Sequence, residues 1–169
     1  MKRQKLNNKG FSLVELIVVI AIMGVVSVGG IVSYGLLYSA NAKEASAKLN
    51  SALNKTRIEA MSKVSASIEI YENDADSKYY ATIKVGENEQ DPIYIGSSRV
   101  VISYEDTNTT TTIEDDDTLV ISFDRETGAF KPIRNDGTVD VYCKEITVEA
   151  GHKTYTIQCE KLTGKTIVK

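Results

Sequence analysis

The longest apolar stretch of the chain lies near its start. Residues 11–32 contain one charged side chain, Glu15, and the other side chains are apolar or small. A helix of about 20 apolar residues crosses the hydrocarbon core of a bilayer. The pattern therefore predicts a transmembrane helix over residues 11–37.

A second helical pattern follows without a break. Its apolar and small side chains recur at spacings of three and four residues, at Ala45, Leu49, Ala52, Leu53, Thr56, Ala60 and Met61. Such spacing gives a helix one apolar stripe, which packs against a core. We therefore predict that the helix continues over residues 38–63 as an amphipathic half that faces a globular domain.

The pattern becomes alternating after residue 64. Ile68 and Ile70 alternate with polar neighbours, as is typical of a half-buried strand. Further runs between turn signals predict strands at residues 79–85, 92–95, 99–104, 119–124, 129–133, 139–148, 154–159 and 165–168. The expected fold class is α+β, in which a long N-terminal helix packs against an antiparallel β-sheet head of residues 64–169, built from two small sheets.

The register of the last long hairpin follows from its turn. Gly151-His152 fits a two-residue turn. Val148 then lies opposite Tyr155, and Ile146 lies opposite Ile157. This register brings the apolar residues of both strands to one face.

The same register bears on the two cysteines of the chain. It places Cys159 opposite Lys144 and turns Cys143 to the other face, because side chains alternate along a strand. A direct bridge would then need a bulge or a turn one residue longer. Two alternatives stay open, a Cys143–Cys159 disulfide or two free thiols.

Charge separates the first ten residues from the rest of the chain. This leader holds four of the 20 basic residues and none of the 23 acidic ones. The remaining chain therefore carries 16 basic against 23 acidic residues, which argues against a general nucleic-acid binder. The basic leader favours an orientation with the N-terminus in the cytoplasm and the head outside.

A basic leader before an apolar run has three interpretations. One is a secretory signal peptide, with Ala40-Asn41-Ala42 as the cleavage site, although the apolar run is longer than such peptides carry. Another is a plain membrane anchor, which leaves the carboxylate of Glu15 unexplained. The third rests on a resemblance.

Residues 9–15 read KGFSLVE and precede an apolar helix. This stretch resembles the N-terminus of type IV pilins and of type II secretion pseudopilins. The resemblance implies that a prepilin peptidase cuts between Gly10 and Phe11, and that Phe11 becomes an N-methylated terminus. It also implies that Glu15 pairs with the Phe11 amine of a neighbouring subunit in the filament core. An assembly ATPase, its membrane platform and other pilin subunits are the implied partners.

Glycines interrupt the apolar half of the predicted helix. Gly24, Gly29 and Gly30 each lower helix propensity by about 1 kcal/mol relative to Ala. They indicate either a site where the helix bends during assembly or close helix–helix packing through small residues.

Three stretches of the chain resemble the GspH/FimT-like minor pilins and pseudopilins. They are residues 53–63 (LNKTRIEAMSK), residues 119–130 (LVISFDRETGAF) and residues 146–168, which end in a Thr-Gly strand. Some members of that subfamily are linked to DNA uptake. The last strands here carry Lys153, Lys161, Lys165 and Lys169, which are read as a solvated face in preference to a DNA site.

Candidate chemistry is sparse elsewhere. Residues 114–117 (EDDD) follow a Thr-rich run and suggest either a calcium loop or a solvated loop, and the ligand spacing of an EF-hand is missing. His152 is the single histidine, and no nucleophile–base pair or phosphate loop is visible. We therefore expect no enzyme, no metal and no cofactor.

The sequence thus predicts a structural, minor subunit of a type IV pilus or pseudopilus. In this interpretation the chain is a cytoplasmic-membrane prepilin that matures into an extracellular or periplasmic filament. The rival interpretation is a membrane-tethered or secreted domain that binds DNA or a surface ligand and forms no filament.

Overall fold

The computed structural model describes residues 12–62, 65–106, 109–114, 117–135 and 139–169, and for residues 28–37 and Asn135 it describes the backbone alone. The chain divides into two compact units, Met1–Leu36 and Leu37–Lys169. Helix α1, Leu13–Ser62, contributes residues to both.

The described head contains twelve strands. They are β1 Ala66–Asn73, β2 Lys78–Val85, β3 Asn88–Glu89, β4 Ile93–Gly96, β5 Val101–Glu105, β6 Thr110–Thr112, β7 Thr118–Ser122, β8 Arg134–Asn135, β9 Asp140–Val141, β10 Glu145–Ala150, β11 Lys153–Glu160 and β12 Lys165–Val168. All pairs are antiparallel. The predicted α+β class is therefore confirmed.

The strands form two five-stranded sheets and one two-stranded ribbon. The first sheet has the order β3-β2-β1-β7, with β4 also paired to β2, and the second has the order β12-β11-β10-β5-β6. β8 and β9 make the ribbon. The predicted hairpin register is confirmed, because Val148 pairs with Tyr155 and Ile146 pairs with Ile157.

The second half of α1 supplies one wall of the head's core. Six of the seven side chains of the predicted stripe are buried. Ala42 extends that stripe towards the N-terminus, and Ser46, beside Ala45, is buried as well. Met61 is the exception and is 44% exposed. It follows Ala60 directly, which places it about 100° around the helix from that buried side chain.

The core itself is one aliphatic cluster. Leu49 and Leu53 of α1 join the inward side chains of both large sheets, which include Ile68, Ile70, Ile83, Ile121, Ile102, Ile146, Val148 and Ile157. Each of these side chains is fully buried. Such burial stabilises the head by roughly 1.5–3 kcal/mol per large side chain relative to exposure.

Two predicted strands differ from the structure. Residues 129–133 form no strand, and Phe130 makes an isolated bridge to Phe123. Residues 139–148 form two strands, β9 and β10, because Tyr142, Cys143 and Lys144 interrupt the pairing. The short strands β3, β6 and β8 were not predicted, since two or three residues show no period.

Candidate assembly site

The predicted processing residues, Gly10 and Phe11, lie outside the described residues. The described chain begins at Ser12, and the Leu16 N–H donates to the Ser12 carbonyl at 3.1 Å. Among the described residues, helical hydrogen bonding is thus present from the Ser12 carbonyl onwards.

Glu15 lies in the first turn of α1, where its side chain is exposed. A carboxylate in this position is stabilised by the positive end of the helix dipole. None of the ion pairs in the described part of the chain involves Glu15. The carboxylate is therefore available to a partner outside these residues.

The apolar half of α1 exposes its large side chains on every side. Between Leu13 and Val26 these side chains are from 45% to 76% exposed. A helix that is apolar all round is stable in water only when other apolar surface covers it. Within the described residues, no helix is both long enough and apolar enough to span a membrane.

The glycines of this half lie inside α1. An added Cβ at Gly24 would meet nothing within 4 Å, so the surface at this point is open to a neighbouring helix. Gly29 and Gly30 have helical backbone, and their surroundings are outside what the structure describes. Bending or close packing at these positions stays a prediction.

Two Thr-Gly turns meet the last turns of α1. Arg57 Nε donates to the carbonyl of Gly128 at 3.1 Å. Gly164 is so close to this carbonyl that an added Cβ would overlap the Gly128 oxygen. Both glycines have positive φ, +69° and +63°, which favours glycine. Both turns are present in the sequence, but no pattern along the chain predicts that they meet.

Further contacts hold the same stretch of helix to the head. The hydroxyl of Thr166 on β12 donates to Asn50 Oδ1 and accepts from Asn54 Nδ2. The Lys55 ammonium donates to Gln90 Oε1 at 2.8 Å. These bonds fix the rotation of the second half of α1 about its own axis, relative to the β-sheets of the head.

Asp124 shapes the first Thr-Gly turn. Its Oδ1 accepts hydrogen bonds from the Thr127 hydroxyl at 2.7 Å, the Thr127 N–H at 2.9 Å and the Glu126 N–H at 3.2 Å. The bond from the Thr127 hydroxyl is the main reason that the pKa of Asp124 lies below its usual 3.8. The turn is thus set locally before it meets Arg57.

The two cysteines lie together, contrary to the expected opposite faces. Both are free thiols, Cys143 buried and Cys159 half-buried. The Cys159 N–H donates to the Lys144 carbonyl at 2.9 Å, which confirms the predicted position of Cys159 opposite Lys144. Cys143, however, precedes β10, so strand alternation does not reach it. A hydrogen bond with Cys159, together with burial, raises the pKa of Cys143 well above its usual value.

An ion pair between the buried Asp106 and the exposed Arg134 was not predicted. Asp106 is 1% exposed, and its Oδ2 accepts from Arg134 Nη2 at 3.0 Å. Its Oδ1 accepts from the N–H and hydroxyl of Thr109. A single acid in a sequence carries no signal that distinguishes a buried position from an exposed one.

The described residues of the basic strands and of the acidic loop form no evident ligand site. Lys153, Lys161, Lys165 and Lys169 are all exposed, and Lys161 Nζ lies 3.6 Å from the centre of the Tyr142 ring. Asp115 and Asp116 of the loop at residues 114–117, for which a calcium loop and a solvated loop were the alternatives, lie outside the described residues. Across the described ranges, no three His, Cys, Asp or Glu side chains gather as metal ligands would.

Comparison with known families places one signal on the N-terminal unit. Residues 5–31 match the family model of the prokaryotic N-terminal methylation motif. The match covers Gly10, Phe11 and Glu15, and it supports a type IV pilin-like prepilin signal. Comparison with curated proteins and with solved structures finds no match.

Proposed function

We propose that this chain is a minor structural subunit of a type IV pilus or of a type II secretion pseudopilus. The observation that carries the proposal is the methylation motif at residues 5–31, which runs into a helix whose large apolar side chains are exposed. A separate head with its own core follows. A helix for packing and a head for display are the two parts that a filament subunit needs.

Maturation follows from this assignment. The prepilin enters the cytoplasmic membrane with its basic leader inside and its head outside. Prepilin peptidase cuts between Gly10 and Phe11, and Phe11 is methylated. An assembly platform and its ATPase then move the subunit into an extracellular or periplasmic filament.

In this proposal, Glu15 favours docking of the subunit onto a filament over the lone subunit in the membrane. In an apolar environment an unpaired carboxylate costs roughly 2.5–3.5 kcal/mol. The α-amine of Phe11 on a neighbouring subunit removes that cost by pairing with it. The exposed carboxylate in the first turn of α1 supports this role.

The GspH/FimT-like assignment draws support from the head. The three stretches that resemble this subfamily meet at one point, where Arg57 contacts both Gly128 and Gly164. Because the three stretches meet in the folded head, their joint presence is a more specific indication of the subfamily than any one stretch alone. The minor role rests on this resemblance.

Incorporation of a Glu15→Val variant tests the proposal. We expect this variant to be cleaved and inserted into the membrane like the parent, yet to be depleted from filaments sheared off the cell. Glu44→Val, the same change in the second half of α1, is the control and keeps its place in the filament. Equal amounts of both variants in the sheared fraction would contradict the proposed role of Glu15.

A further inference from the structure

Three tyrosines form a row across the first sheet. Tyr94 on β4 pairs with Tyr80 on β2, and Tyr80 is adjacent to Tyr71 on β1. The ring centres are 5.9 Å apart for Tyr94 and Tyr80, and 6.2 Å apart for Tyr80 and Tyr71. We call Tyr94, Tyr80 and Tyr71 the tyrosine row.

The row lies on the face of the sheet that points away from the core. Tyr79 and Ala81, the neighbours of Tyr80, are buried in the core, so the Tyr80 ring points outwards. Tyr94 is 41% exposed, and the other two rings are half-buried. The row therefore presents aromatic surface to solvent.

The row is ordered by bonds at its hydroxyls. The Tyr80 hydroxyl donates to Asp76 Oδ2 at 3.1 Å, and the Tyr71 hydroxyl lies 3.5 Å from Thr82 Oγ1. The Tyr80 and Tyr71 rings therefore have polar partners that limit their motion before any ligand arrives, which reduces the entropy lost on binding.

A polar cleft of about 80 Å³ opens at the Tyr94 end of the row. Its walls carry an amide from Asn41, a carboxylate from Glu44, an ammonium from Lys48 and a hydroxyl from Ser97. Lys48 Nζ also lies 4.7 Å from the centre of the Tyr94 ring. A purely structural role in cross-strand packing would explain why the tyrosines contact each other. It would not explain why a cleft lined by polar side chains lies beside them.

The charges around the row disfavour a polyanion. Lys48 pairs with Glu44 at 2.8 Å, Lys78 with Asp76 at 2.8 Å, and Lys84 with Glu69 at 2.7 Å. Single-stranded nucleic acid also stacks on aromatic rings, but it requires a positively charged groove beside them. With each of these lysines neutralised by a carboxylate, the face offers no such groove.

We propose that the tyrosine row and its polar cleft bind an uncharged oligosaccharide. The apolar C–H faces of successive sugar rings stack on the tyrosines, which combine an apolar face with a polar edge. The hydroxyls of the end unit hydrogen-bond to Asn41, Glu44 and Ser97 in the cleft. A few polar groups beside aromatic surface are typical of a specific ligand site.

Titration of the full chain in a sugar-free detergent tests the proposal. The probes are cellohexaose, chitohexaose and mannohexaose, with a short oligothymidylate as the polyanion, each followed by calorimetry. We expect at least one hexasaccharide to bind. Tyr94→Ala should weaken this binding about tenfold or more, whereas Tyr94→Phe, which keeps the ring, should stay within about threefold of the parent.

Val101→Ala is the matched control, because Val101 is similarly exposed, at 46%, but belongs to the second sheet. Its affinity should equal that of the parent. The proposal is wrong if no hexasaccharide binds, if Tyr94→Ala and Val101→Ala bind equally well, or if only the oligothymidylate binds with a steep salt dependence.

Discussion

The two halves of α1 share a backbone conformation but differ in what surrounds them. Large side chains from Leu13 to Val26 are at least 45% exposed, whereas Leu49 and Leu53 are fully buried in the head. The second half of α1 has a narrow stripe of apolar side chains because the head covers only one side of that half. The exposed half is apolar all round, which suits a helix that other subunits surround. The comparison separates a segment that stabilises the head from one that, in the proposed function, joins subunits.

Truncation of one leucine in each half tests this separation most strongly. Leu49→Ala should lower the free energy of unfolding of the head by about 3 kcal/mol, because it leaves a cavity in a packed core. Leu16→Ala, at a residue that is 59% exposed, should leave it within about 0.5 kcal/mol of the parent. Denaturant unfolding of the full chain in detergent measures both. Equal losses would show that the first half also stabilises the head.

The cysteine pair offers a second test of the comparison, because a bond between the two cysteines would change the stability of the head alone. We expect Cys143 and Cys159 to form a disulfide in protein recovered from outside the cytoplasm, since both side chains line the same cleft of the head. Closing a loop of this length stabilises the folded state by about 3 kcal/mol.

Alkylation without reductant, followed by mass spectrometry of the unfolded chain, decides the state of these cysteines. A bridged pair takes up no alkyl group, whereas two alkyl groups would contradict the expectation. A Cys143→Ser variant is the control and should take up one group, at Cys159.

Gly164 tests how the second half of α1 is fixed to the head. Gly164→Ala should destabilise the head by about 2–3 kcal/mol, because the new Cβ overlaps the Gly128 carbonyl and the backbone has positive φ. Gly86→Ala is the control, with nearly the same φ of +61° and open space around it. It should cost about 1 kcal/mol. If both variants lose the same stability, the contact between the two turns contributes nothing.

The smallest expected effect concerns alkaline pH. Burial raises the pKa of Tyr79 to about 12, and its hydroxyl donates to the Ile113 carbonyl at 2.9 Å. A raised pKa in the folded state gives a stabilisation that is complete below the unfolded pKa of 10.0 and is lost as pH rises towards 12.

Tyr79→Phe should cost about 1 kcal/mol at neutral pH and remove this part of the alkaline loss. Thermal unfolding between pH 9 and pH 12 measures both quantities. An unchanged alkaline profile in the variant would show that Tyr79 is not the responsible group.

Regular patterns of the sequence predicted the fold well. The spacing around Leu49 predicted the buried stripe, and the turn at Gly151 predicted the hairpin register. Patterns carry this information because burial and strand pairing are periodic. The processing residues were recognised from a motif and not from geometry.

The failures lie where periodicity ends. Strand pairing is interrupted at residues 142–144, so the alternation of strand side chains did not predict the position of the Cys143 thiol. At Phe130 an irregular stretch with a single bridge takes the place of a predicted strand. The tyrosine row depends on three strands that are separated along the chain, so only the sheet register brings the rings together. The convergence of two Thr-Gly turns on Arg57 is a tertiary contact of the same kind.

The most direct test of the account is the identity of the mature N-terminus. The chain is recovered from its natural host and its first residue is read by mass spectrometry of the N-terminal peptide. A filament subunit begins with N-methylated Phe11, which results from a cut after Gly10. A mature chain that begins at Lys43 would indicate ordinary secretion, and an intact Met1 would indicate a plain anchor. Either of these results would contradict the proposed function.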